Sequence, residues 1–211
     1  MPPPNAPLRN KTAEEIIVLA EALIQTRGYS AFSYQDIADK LGIRKASIHY
    51  HFPSKAELGF AVVDRYASSF AAALAAIDAD QSQSSMSMLD HYIGPFQQVA
   101  ATPDRICLCA ALAGEVLALP EGLRGRVDRF FVEHQTWLTA ILKRGADRGE
   151  FVLSDSPAHV ARLVFSALQG ALLIKRTTGD AEQLTDVVAV LKAQLGGAAR
   201  PNTLSPRQAS G

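Results

Sequence analysis

The stretch "SYQDIADKLGIRKASIHYHFPSKAEL", residues 33–58, decides the fold. Ser33 stands three residues before Asp36, and Ser54 three before Glu57, the spacing at which a hydroxyl and a carboxylate cap the start of a helix. Gly42 closes the first of these helices, and Pro53 ends a short helix fitted between Arg44 and Phe52. The run therefore reads as helix 33–41, turn, helix 44–52, turn, and a long helix from Ser54 to about Ala79. Ile37, Ala38 and Leu41 give the first helix an inner face, with Ala38 small where two helices would cross. On the second helix, at about 100° per residue, Ile48 and Phe52 fall on one side. Ala46, His49 and Tyr50 point the other way, with Lys45 and Ser47 on the flanks.

Working outward, Thr12 with Glu15 marks a helix over 12–27 that Gly28 stops. Past a polar connector at 78–85 the helical period continues over 86–101, 104–118, 122–148, 157–177 and 181–195. Pro103, Pro120 and Pro157 lie near helix starts, where a missing N–H is tolerated. Strand patterns are nearly absent. The expected fold is all-α with about nine helices. A disordered arm at 1–9 precedes a head at 10–56, followed by a larger helical part at 57–196 and a disordered tail at 197–211.

Composition narrows the partners. The chain has 211 residues, 48% hydrophobic and 20% charged, with zero formal net charge, so any nucleic-acid surface must be local. The first residues lack the apolar core of a secretory signal, and no run approaches the roughly 18 unbroken apolar residues of a membrane span. A cytoplasmic protein without a membrane partner is expected. Two cysteines, Cys107 and Cys109, cannot make a disulfide framework; two apart on a helix, they diverge by about 200°. The same geometry separates His49 from His51 and excludes a shared metal ion.

A tyrosine, a lysine, a serine and a small alanine on one outward helix face suit the major groove of double-stranded DNA, where small residues permit close approach. A solvated helix connection is the bland alternative. On these residues, "EEIIVLAEALIQTRGYSAFSYQDIADKLGIRKASIHYHFPSKAEL" resembles the N-terminal domain of TetR-family transcriptional regulators. The likeness rests on the Gly-Tyr turn, the "S-x-x-D-I-A" helix, the "L-G-I" turn and the "S-I-H-Y-H-F-P-S-K" segment, and covers about residues 10–60. Ala46 departs from the glycine or proline often found there. The resemblance implies that Lys45, Ala46, Ser47, His49 and Tyr50 face the groove and its flanking phosphates. It further implies that Ser33, Tyr34 and Lys55 touch the backbone, that Arg44 lies near the DNA edge, and that His51 packs sideways.

Val160, Leu163, Val164, Ala167, Leu168, Ala171 and Leu172 form a continuous apolar stripe, and Phe165, Leu173 and Ile174 make a second side apolar. Leu184, Val187, Val188, Leu191 and Leu195 follow on the last helix. Two such helices suit either burial within the chain or a bundle with a second copy; the resemblance favours a homodimer, as TetR-like proteins pair through their last two long helices. It also implies a palindromic operator and a small-molecule effector that releases a repressor from DNA. Candidate pocket residues are Tyr92, Phe96, Cys107, Leu112, Phe130, His134 and Trp137, with Phe130, His134 and Trp137 sharing a face at i, i+4 and i+7. Cys107, near a helix start and Arg105, is either a thiol sensing electrophiles or oxidants or simply a small buried residue. An effector-independent DNA-binding protein and a helical thiol enzyme are the competing readings. No nucleophile motif, phosphate loop or metal-ligand set supports the enzyme, and no cofactor is expected.

Overall fold

The computed structural model describes residues 6–196 apart from residue 81, so the expectations for 1–5 and 197–211 lie outside the described residues. Among the described residues, nine α-helices run in order: α1 (Ala6–Arg27), α2 (Tyr34–Leu41), α3 (Lys45–His51), α4 (Lys55–Ala79), α5 (Ser85–Ala101), α6 (Leu108–Ala113), α7 (Glu121–Asp147), α8 (Pro157–Thr178) and α9 (Gln183–Leu195). A single 3-10 turn, Val116–Ala118, separates α6 from α7, and no strand occurs among the described residues.

Local chemistry sets these boundaries. Both capping boxes form: Ser33 N–H donates to Asp36 Oδ2 at 2.8 Å, and Ser54 N–H to Glu57 Oε2 at 3.1 Å. Gly42 takes the left-handed conformation, φ +65°, and both its N–H and that of Ile43 return to the Ala38 carbonyl. Ser156 caps α8, Pro157 opens it and Gly179 ends it.

Two elements differ from expectation. α1 starts at Ala6, inside the arm expected to be disordered, because Pro7 in a first turn loses no hydrogen bond and Thr12 need not cap. The helix expected over 104–118 shrinks to Leu108–Ala113. Asp104 sits at φ +59°, outside helical space, and the Ile106 N–H reaches across to the Gln25 carbonyl of α1 at 3.4 Å. That contact holds 103–107 against α1 instead of letting it coil.

One continuous core joins the parts: Ile37, Ile48 and Phe52 of the small helices, Leu58, Val62 and Tyr66 of α4, and Phe130, Leu138 and Leu168 of the bundle. α4 thus belongs to both the head and the bundle. α4 and α8 have the length and hydropathy of membrane spans, but their buried residues pack against α7 as core helices do.

Candidate nucleic-acid interface

α2 and α3 with the Gly42 turn between them form a helix-turn-helix. Its base is set by Ile37 and Ile48, both fully buried, with Ala38 and Phe52 beside them. Locking that base fixes the other face of α3. Arg44, Lys45, Ala46, Ser47, His49 and Tyr50 are all exposed, and Tyr50 keeps 62% of its surface in solvent. His49 lies edge-on to Tyr34 with ring centroids 4.7 Å apart, which orients it without burying it. His51 turns aside toward Tyr50 and Phe52. The face carries two cations, three polar side chains and one methyl at closest approach, a set that can meet base edges and phosphates.

Two residues expected at the DNA backbone do other work. Tyr34 is 6% exposed, and its hydroxyl donates to the Phe52 carbonyl at 2.8 Å; burial raises its pKa to about 12. It ties the start of α2 to the end of α3 and has no hydroxyl left to offer a phosphate. Lys55 turns its ammonium inward to the Phe32 carbonyl, 4.8 Å from the Tyr29 ring centroid and 4.3 Å from that of Phe32. Burial lowers its pKa, against the pull of Glu115 and Asp36. Ser33 stays exposed while capping α2.

The candidate pocket residues divide. Tyr92, Phe96 and Leu112 are packed in the core. Phe130, His134 and Trp137 line a cavity of about 470 Å³ between α4 and α7, with Phe70, Leu74 and Asp78 on its opposite wall. His134 is 2% exposed, shares a hydrogen bond with the Tyr92 hydroxyl at 3.0 Å, and lies among the rings of Phe70, Phe130 and Phe165. Burial alone lowers its pKa to about 4, so the imidazole is neutral at pH 7. Trp137 stacks on Tyr92 and donates its indole N–H to Asp78 at 3.0 Å. Phe70 and Asp78 escaped the sequence reading because only the crossing of α4 over α7 makes them neighbours. Cys107 is not in the first turn of a helix: it is the residue before α6, buried, with the Tyr66 hydroxyl 3.7 Å from its Sγ. Cys109 is buried as well, which pushes its thiol pKa up.

The apolar stripe of α8 and α9 faces the chain's own core. Val160, Val164, Leu168, Ala171 and Leu172 of α8, and Leu184, Val188 and Leu191 of α9, are buried within the chain and cannot meet a second copy. Ala167 and Val187 are half-buried. The outward apolar side holds Leu163, Leu173, Ile174 and Val190 instead.

A helix-turn-helix with an exposed reading face, mounted on a helical bundle, is the architecture of a DNA-binding transcriptional regulator. Residues 16–62 match the family model "Bacterial regulatory proteins, tetR family", and residues 84–191 match "Tetracyclin repressor-like, C-terminal domain". The chain belongs to the TetR family. It is similar to a crystal structure of a TetR-family regulator from Agrobacterium tumefaciens, with 34% identity and a TM-score of 0.84 over 89% of this chain and 99% of that one. A TetR regulator from Legionella pneumophila matches at 32% identity and a TM-score of 0.79, covering 87% and 97%. Among curated relatives, an uncharacterized HTH-type transcriptional regulator in the lacX 3' region of Lactococcus lactis subsp. lactis is 29% identical over 189 residues, 88% of this chain and 93% of its own length.

Proposed function

We propose that this regulator is a homodimeric repressor that binds a palindromic operator and leaves it when a small molecule occupies the bundle. The exposed face of α3 over its buried Ile48–Phe52 anchor carries the reading, with Lys45, Ala46, Ser47, His49 and Tyr50 toward the groove and Arg44 and Ser33 at its edge. Residues 10–56 act as the head and 57–196 as the sensing and pairing part. The outward side of α8 and α9 supports pairing: Leu163, Ala167, Gly170 and Ile174 recur at offsets 0, 4, 7 and 11, one face of a helix. Two heads about 34–36 Å apart reach successive major grooves, which calls for a two-fold symmetric site.

The α4–α7 cavity supports a largely apolar effector, with the neutral His134 and with Asp78, Glu133 and Thr136 as its polar lining. Release by an electrophile or oxidant would act instead at Cys107, whose thiol lies beneath Tyr66. Selection of bound sequences from random DNA, followed by footprinting, tests the reading. A two-fold symmetric site with half-sites one helical turn apart is expected; absence of any selected site at low salt refutes it. Retained electrophile release in Cys107→Ser would end the thiol route.

A further inference from the structure

α1 hands the chain to the reading head through the five residues Gly28–Phe32, and the bundle holds that linker from the far side. Glu115, between α6 and the 3-10 turn, accepts the Tyr29 N–H on Oε1 at 2.6 Å and the Ser30 N–H on Oε2 at 2.9 Å. Both are backbone donors that α1 has left behind, and one carboxylate satisfies them together. The fit is close. Gly28 turns the chain at φ +95°, and a Cβ there would collide with the Glu115 carboxylate. Lys55 grips the other end of the linker at the Phe32 carbonyl and lies close enough to Glu115 for each to favour the charge of the other.

We propose that Glu115 is a positioning residue for DNA binding, the side chain by which the bundle sets the angle of the helix-turn-helix. α1 and α4 alone leave the linker two unanswered donors and a glycine hinge. With Glu115 in place, the head is referred to α6 as well. Ala113, two residues before Glu115, lines a second cavity of about 370 Å³ between α6, α7 and α8, so a displacement of α6 reaches the linker through this carboxylate as well as through the packing of α6 on α1. Arg176 of α8, donating to the Thr26 carbonyl at 2.6 Å, holds the last turn of α1 on the same side.

The test compares Glu115→Ala and Glu115→Gln with the full wild-type chain. It rests on the chain binding a selected operator, which the wild type must show first. Amide exchange at Tyr29 and Ser30 is expected to quicken by about ten-fold in Glu115→Ala, with less change in Glu115→Gln, which keeps one acceptor oxygen. Operator affinity is expected to fall by about ten-fold, while affinity for non-specific DNA stays as in the wild type, because the phosphate-facing cations are untouched. That split separates positioning from a loss of folded protein, which would lower both affinities. Unchanged exchange overturns the grip, and quickened exchange with unchanged operator affinity overturns the positioning role. A wild type that binds no DNA counts against the regulator reading, and the grip then stands or falls on exchange alone.

Discussion

Burial turns Tyr34 away from the surface where the sequence would place it, and holds His134 neutral in the wall of the cavity it lines. With a folded pKa of about 4 against an ordinary 6.5, His134 binds fewer protons folded than unfolded over that interval. Its contribution to stability is complete above pH 6.5 and is lost as pH falls toward 4; at pH 5 the loss is about 2 kcal/mol. Urea midpoints measured from pH 7 to 5 should therefore decline, and His134→Gln should flatten the decline. An equal slope in both would place the acid-sensitive group elsewhere. Tyr34 yields a different expectation. Tyr34→Phe removes the bond to the Phe52 carbonyl and should cost about 1 kcal/mol of stability. The salt dependence of DNA binding should stay as it was, because no phosphate contact is removed. A shallower salt slope in Tyr34→Phe would restore the hydroxyl to the DNA backbone.

At the scale of elements, the reading head was legible in the sequence and parts of the bundle were not. Capping boxes, a glycine turn and the Ile48–Phe52 pair act within a few residues of one another, so their pattern survives in one dimension. The first turn of the helix expected at 104–118 was lost to a contact with Gln25, some eighty residues earlier, which no local pattern records. The α8 stripe failed differently. Its period correctly gave a buried face, but periodicity states that a face is covered, not by what, and α7 and α9 cover it. Exposure now sharpens the expectations for α3. Lys45→Ala should weaken binding to all DNA sequences to a similar degree and reduce the salt slope by about 1, as loss of one phosphate contact does. Tyr50→Ala should instead reduce discrimination between operator and random DNA. If both variants bind the operator like the wild type in an anisotropy titration, α3 is not the element that enters the groove.

Over the whole molecule, the inward packing of the α8 stripe sets where the proposed dimer can be disrupted. Because the Val160–Leu172 stripe is buried within the chain, substituting it would unfold the subunit rather than separate two subunits. The outward side is different: Leu163 is 53% exposed and Ile174 47%, so each leaves about half its surface free for a second subunit. In a dimer these side chains would be desolvated against their symmetry mates, and a glutamate at each would bring like charges together in an apolar seam. The Leu163→Glu, Ile174→Glu double variant should therefore sediment as a folded monomer with helical circular dichroism unchanged. Its heads remain intact, so affinity for a single half-site should equal that of the wild type. Affinity for the full operator should fall by about a hundred-fold or more, because the second head no longer arrives with the first and loses its effective concentration. A double variant that still sediments as a dimer would put the pairing surface on another face of the bundle, and with it the spacing of the two heads.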